Sequence, residues 1–161
     1  MERYPKELCC CFTGHRPEKL VNDPVTVQRG LLKEIDAAIR DGITVFYSGM
    51  ARGVDLWAAA IVLKRRERFP QIKLICAIPY EGFENAWSIE WKQAYRSIRN
   101  LADDEIVFYQ GFDYAAFNAR NFYMVDHAAR VIAAYNGGKG GTKNTVLYAQ
   151  QHGVDVRFVA G

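Results

Sequence analysis

Cysteine is scarce in this chain and poorly placed for cross-linking. Four of the 161 residues are Cys, namely Cys9, Cys10, Cys11 and Cys76, all inside apolar runs. Three adjacent thiols cannot make an orderly disulfide framework, and no C-x-x-C or similar metal-ligand spacing occurs. This excludes a disulfide-stapled secreted scaffold and supplies no metal motif. The four read as inert core thiols in the reducing cytoplasm. Long apolar stretches are also missing: no run approaches the roughly 18 residues of a membrane span. Met-Glu-Arg-Tyr-Pro-Lys at residues 1–6 has no apolar signal region. A cytoplasmic protein without a membrane partner is therefore expected. Nor is there a strong excess of one charge. Twenty-one basic and 18 acidic residues give +3, mixed along the chain. That leaves no long basic stripe for a phosphate backbone and argues against a dedicated nucleic-acid binder. Repeats, low-complexity tracts and linkers are absent too, so residues 1–161 read as one domain. A content of 50% hydrophobic and 24% charged residues is ordinary for a soluble globular chain.

What is present is glycine at the ends of apolar runs. Ser48-Gly49-Met50-Ala51-Arg52-Gly53-Val54-Asp55 follows the apolar run 43–47 and opens a helix read from 54 to about 69 that is apolar over 54–63. Strand, glycine loop and helix in that order leave backbone N–H groups free at a helix N-terminus, where they and the helix dipole favour an anion. A tight turn without a ligand would also use such glycines. Thr13-Gly14-His15-Arg16-Pro17 ends the run 8–12, Pro79-Tyr80-Glu81-Gly82 ends 73–78, and Asn136-Gly137-Gly138-Lys139-Gly140-Gly141-Thr142 ends 130–135. Further strands are read at 105–109 and 155–159, and helices after Asp23-Pro24, from about 114 to 129, and from 142 to about 152. Trp87, Trp91 and Tyr95 stand at helical spacing, a pattern of core packing. Tyr80, Phe83 and Trp87 lie nearest the strand end and are the aromatics placed to touch a planar ligand. The basic run at 64–68 reads as a solvated helix end.

Strands alternating with helices throughout predict an α/β fold: a doubly wound, mainly parallel sheet with helices on both faces. Ligands of such sheets bind outside the C-terminal strand ends where the strand order reverses. Four loops rich in glycine, hydroxyl and cationic residues can converge there.

The motifs at 13–17, 48–55, Ile78-Pro79-Tyr80 and 136–142 together resemble the YpsA family of the SLOG superfamily of Rossmann-like proteins. That superfamily also contains the DNA-processing protein DprA (Smf) and the LOG phosphoribohydrolases. The resemblance covers nearly the whole chain. It implies strand order 4-3-2-1-5-6 and a nucleotide-derived ligand, of nucleotide or ADP-ribose type, with no resident cofactor identified. Arg120-Asn121-Phe122-Tyr123-Met124 is similar to the R-K-x-x-M helix of LOG enzymes, making Arg120 a candidate phosphate ligand. Their P-G-G-x-G-T-x-x-E motif is not matched: Thr145, or Asn144 in a shifted register, stands where the glutamate belongs, and no acidic residue lies between Asp126 and Asp155. Glycosidic cleavage relies on a carboxylate, so a LOG-like enzyme is disfavoured. The full match to the S-G-x-A-x-G-x-D pattern of DprA implies single-stranded nucleic acid as the alternative partner, with Arg16, Arg52, Lys139 and Lys143 as its cations. A homo-oligomer is left open.

Within the small-ligand reading, backbone amides of Gly14, Gly49, Gly137, Gly138, Gly140 and Gly141 cradle phosphate or ribose oxygens, and Ser48 and Thr142 add hydroxyls. Arg16, Arg52 and Arg120 supply charge-assisted contacts, with a surface ion pair as the alternative for Arg52. Thr13, His15, Gly53, Tyr80 and Asn136 complete the expected ligand-binding set, and no metal ligand or catalytic residue is assigned. Asp55, in the first turn of its helix, is read as a partner of nearby amides or of an arginine rather than as an acid catalyst.

Overall fold

Short apolar runs closed by glycine, proline or serine become strands, and the longer amphipathic runs between them become helices. The computed structural model describes residues 4–161; residues 1–3 of the expected 1–161 domain lie outside the described residues. The elements are β1 (Cys9–Gly14), α1 (Pro24–Arg40), β2 (Val45–Ser48), α2 (Val54–Arg66), β3 (Lys73–Tyr80), α3 (Ile89–Leu101), β4 (Asp104–Tyr109), α4 (Ala115–Asp126), β5 (Arg130–Tyr135), α5 (Gly141–Gln151) and β6 (Asp155–Ala160). One six-stranded sheet runs β4-β3-β2-β1-β5-β6, and every pairing is parallel. This is the expected doubly wound Rossmann-like fold in the expected order. β1 lies inside the sheet between β2 and β5, so the order reverses beside it.

The alternation of side chains along β1 feeds two cores. Cys10 and Phe12 pack with Val27, Leu31 and Ile35 of α1, with α2 and with Tyr95 of α3. Cys9 and Cys11 face Met124 and Val125 of α4 and Val146 and Ala149 of α5. A strand buried on both faces has no use for a polar position until its end, hence the continuous run. None of the four cysteines forms a disulfide, and burial pushes the thiols of Cys10, Cys11 and Cys76 far above their ordinary value. Asp23 caps α1 by accepting the Thr26 N–H at 2.8 Å, as Asp-Pro at a helix start suggests.

One local expectation is corrected. Trp87 does not share a helix with Trp91 and Tyr95, because α3 begins only at Ile89. Gly82, with φ +83°, turns the chain out of β3, and Trp87 sits in the following turn. From there its ring meets Phe83 and Tyr95 edge-on at 5.0 and 5.5 Å.

Candidate functional site

The connection from β2 to α2 is held by its own side chains. Ser48 is fully buried; its Oγ donates to the Asp55 carbonyl at 2.9 Å and accepts the Met50 N–H at 3.2 Å. Asp55 folds back so that Oδ2 accepts the Ala51 N–H at 3.2 Å. Met50 is forced to φ 63°, unusual for a residue with a side chain, and Gly53, at φ +86°, lies against Pro17 of the neighbouring loop. Gly14 is likewise explained by packing: a Cβ there would stand 2.5 Å from Val54 Cβ, so glycine lets α2 close onto β1.

α4 supplies the next layer. Arg120 is only 7% exposed. Its Nη1 donates to the Gly49 carbonyl and its Nε to Asn121 Oδ1 at 2.8 Å, while its guanidinium carbon lies 6.0 and 5.9 Å from the Phe83 and Phe117 ring centres, within cation–π range. A Cβ on Gly49 would fall 2.8 Å from Asp55 Oδ2 and 3.1 Å from Arg120 Nη1. The missing side chain of Gly49 is what allows acid and cation to approach from its two sides. Burial pushes the Asp55 carboxyl up to about 6, with Arg120 and the Ala51 amide pulling the other way. Burial likewise lowers the Arg120 value, against the field of Asp55.

These residues line a cavity of about 570 Å³ at the C-terminal ends of β1, β2 and β3. Thr13, Gly14, His15, Arg16, Arg52, Tyr80, Arg120, Gly140, Gly141 and Thr142 all border it. Ser48, Gly49, Gly53, Asn136, Gly137 and Gly138 do not. Ser48 spends its hydroxyl inside the loop and Gly49 lies behind the Asp55–Arg120 pair. Asn136 is a brace, its Oδ1 accepting the Gly138 N–H at 2.9 Å and its Nδ2 donating to the Lys19 carbonyl at 3.0 Å. His15 Nε2 accepts the Asn136 N–H at 3.4 Å, and burial, then Lys19, lowers its affinity for a proton. Arg52 pairs with Glu18 at 2.9 Å, the surface ion pair considered above, and Arg16 reaches the same carboxylate at 4.0 Å.

Asp55, Asn121, Lys19, Tyr114 and Phe117 also line the cavity and lie outside the ligand-binding set read from the sequence. Asn121 and Phe117 carry a visible signal, since both lie one or three positions from Arg120. Lys19 and Tyr114 carry none, because only the placement of the Pro17–Lys19 turn and of the α4 N-terminus brings them to the mouth. Tyr80, Phe83, Trp87, Tyr114 and Phe117 form an aromatic wall, in which Tyr80 meets Phe83 and Phe117 edge-on at 5.4 and 6.0 Å.

The family model described as the YspA SLOG family matches residues 10–158, a span that holds every strand end around the cavity. The chain belongs to the YspA SLOG family. Two similar family relatives are the SPbeta prophage-derived protein YoqJ of Bacillus subtilis and a UPF0398 protein of Halalkalibacterium halodurans. YoqJ is 33% identical over 66% of this chain and 69% of its own length. The UPF0398 protein is 26% identical over 83% and 74%. Among solved structures, DNA processing protein A of Streptococcus pneumoniae superposes on this SLOG chain with a TM-score of 0.68 at 20% identity. That match covers 97% of the chain but 51% of the DprA chain. The Helicobacter pylori protein, studied for its single-stranded DNA binding mode, gives 0.67 at 18% identity, covering 95% and 65%. The chain thus spans about half to two thirds of these proteins, and the likeness is one of fold. Of the two residues that the resemblance sets against the LOG glutamate, Thr145 is buried and donates Oγ1 to the Gly141 carbonyl at 2.8 Å, and Asn144 is the other. Among the described residues no helix is long and apolar enough to cross a membrane.

Proposed function

We infer that the protein binds a nucleotide-derived small molecule in the cavity at the C-terminal strand ends. The observation that carries this reading is the make-up of the cavity: a buried guanidinium and amide, Arg120 and Asn121, between an aromatic wall and the glycine-rich start of α5. A planar group fits the wall, and an anion fits the N-terminus of α5, where Gly140 and Gly141 carry no Cβ and Lys139 adds charge. A volume of about 570 Å³ is in the range that encloses a drug-sized ligand rather than a polymer. Membership of a SLOG family supports the same class of ligand. Thermal-shift and calorimetric titration against nucleotides, ADP-ribose and related dinucleotides tests it. Saturable stabilisation by at least one is expected, and none by any member of the panel would refute the reading.

A second reading, single-stranded nucleic acid, is favoured by one observation: Tyr114 is 80% exposed at the mouth, and Phe112, 59% exposed, stacks edge-on against it at 4.9 Å. Exposed aromatics beside Arg16, Lys19 and Lys139 are the components of a base-stacking platform. Filter binding at two salt concentrations separates the two, since several phosphate contacts give a steep salt slope. Sub-micromolar binding with such a slope would put nucleic acid first.

A further inference from the structure

The floor and the mouth of the cavity differ in charge, and the difference orders a ligand. At the floor, Asp55 and Arg120 are both 7% exposed and flank Gly49. Each is only half used by the protein. Asp55 Oδ2 takes the Ala51 N–H, while Oδ1 has no partner among the described residues. Arg120 spends Nη1 and Nε on Gly49 and Asn121, while Nη2 has none. The pair lies in one another's field and sums to no net charge above the carboxyl's titration. At the mouth, Lys19 and Lys139 are exposed and pair with no carboxylate among the described residues. A phosphate pressed against Arg120 would share a poorly solvated floor with the Asp55 carboxylate, and like charges at close range in a low dielectric repel strongly.

We propose that Asp55 and Arg120 form a neutral polar subsite for an uncharged group that carries both a donor and an acceptor, and that they turn the phosphate outward to the cations at the mouth. This rests on the nucleotide reading and reverses the role that the R-K-x-x-M resemblance implies for Arg120. The donor goes to Asp55 Oδ1 and the acceptor receives Arg120 Nη2. Two parts of a nucleotide have that chemistry, the ribose diol and the hydrogen-bonding edge of a base. Asp55 thereby sets specificity as a contact residue, and no bond is made or broken.

The test is calorimetric titration near pH 7.5, where the carboxyl is ionised, using AMP, dideoxy-AMP lacking both ribose hydroxyls, and IMP. The proteins are wild type, Asp55→Asn and the double variant Lys19→Ala/Lys139→Ala. Asn keeps an acceptor for Ala51, and circular dichroism checks the fold. Asp55→Asn should lower AMP affinity at least tenfold. If the diol is held, the wild-type preference for AMP over dideoxy-AMP collapses in the variant; if the base edge is held, the preference over IMP collapses. The mouth variant should weaken AMP, dideoxy-AMP and IMP alike, since all three carry the phosphate. Unchanged or tighter AMP binding by Asp55→Asn would overturn the proposal, since phosphate would then sit beside Arg120. A loss shared equally by all three ligands would overturn it too, leaving Asp55 as a loop-positioning group. Failure of wild-type protein to bind AMP, IMP or ADP-ribose would remove the nucleotide reading itself and this subsite with it.

Discussion

Asp55→Asn should change how stability depends on pH, with a sign opposite to that of most carboxylates. Burial raises the Asp55 carboxyl from its ordinary 3.8 to about 6, so the folded state binds its proton more tightly than the unfolded state. Between those values the native protein holds more protons, and stability falls as pH rises. The contribution is fully present below the unfolded value and is lost as pH passes through about 6. At 1.36 kcal/mol per tenfold in proton affinity the whole effect is roughly 3 kcal/mol, and roughly 2 kcal/mol of it develops between about pH 4.5 and about pH 7.5. Glu18, Asp23, Asp41 and Glu105 are held below their ordinary values first by hydrogen bonds and respond in the other sense. The difference between wild type and variant removes them. Urea unfolding of both proteins across that range should show the variant gaining on wild type as pH rises. A difference that stays flat within about 0.5 kcal/mol, set against the expected change, would mean that the carboxylate is better solvated or paired than its burial implies.

Arg120→Ala removes a buried cation together with its bonds to Gly49 and Asn121. It should lower the melting temperature and weaken nucleotide binding about tenfold to a hundredfold, the value of a charge-assisted hydrogen bond. Full affinity measured by calorimetry would confine the guanidinium to bracing the β2–α2 loop. Gly14→Ala places a methyl 2.5, 2.5 and 2.6 Å from three Val54 atoms and should cost about 1–3 kcal/mol in urea unfolding with or without ligand; a neutral result would show that α2 can slide on β1. AMP and cytokinin monophosphates incubated with the protein should be recovered intact by chromatography, because no acidic residue lies between Asp126 and Asp155, where the LOG resemblance calls for a glutamate. Robust release of free base would show that a carboxylate elsewhere in the cavity, Asp55 first, does the work.

The strands and their order were legible because each carries a local signature. Leu8 to Phe12 is a run with no polar position, Val131 to Ala134 another, and glycine or asparagine follows each within two residues. The convergence of loops after β1, β2, β3 and β5 followed from the parallel topology. What the sequence could not show is which side of a loop faces the cavity. Ser48 and Gly49 look like a ligand cradle in one dimension, yet in three they face α2 and α4, because Ser48 closes the turn on itself and Gly49 makes way for Arg120. Gly14 reads as backbone access and does border the cavity, but it also makes room for the methyls of Val54, forty residues along the chain. Lys19 and Tyr114 belong to no motif, and only tertiary placement brings them to the mouth.

The position of β1 inside the sheet bears on the order in which the molecule can be built. During synthesis β1 to β4 emerge first, and they pair with one another through β2 and β3. The second edge of β1, Cys10 to Gly14, must wait for Arg130 to Ala134. Until then a largely apolar strand edge is open to any passing chain, a template for aggregation. The residues that finish the cavity, Lys139 to Thr142, arrive later still. A nascent chain stalled before β5 would therefore hold the floor of the pocket without its outer rim, and the cavity is complete only in a molecule whose vulnerable edge is already closed.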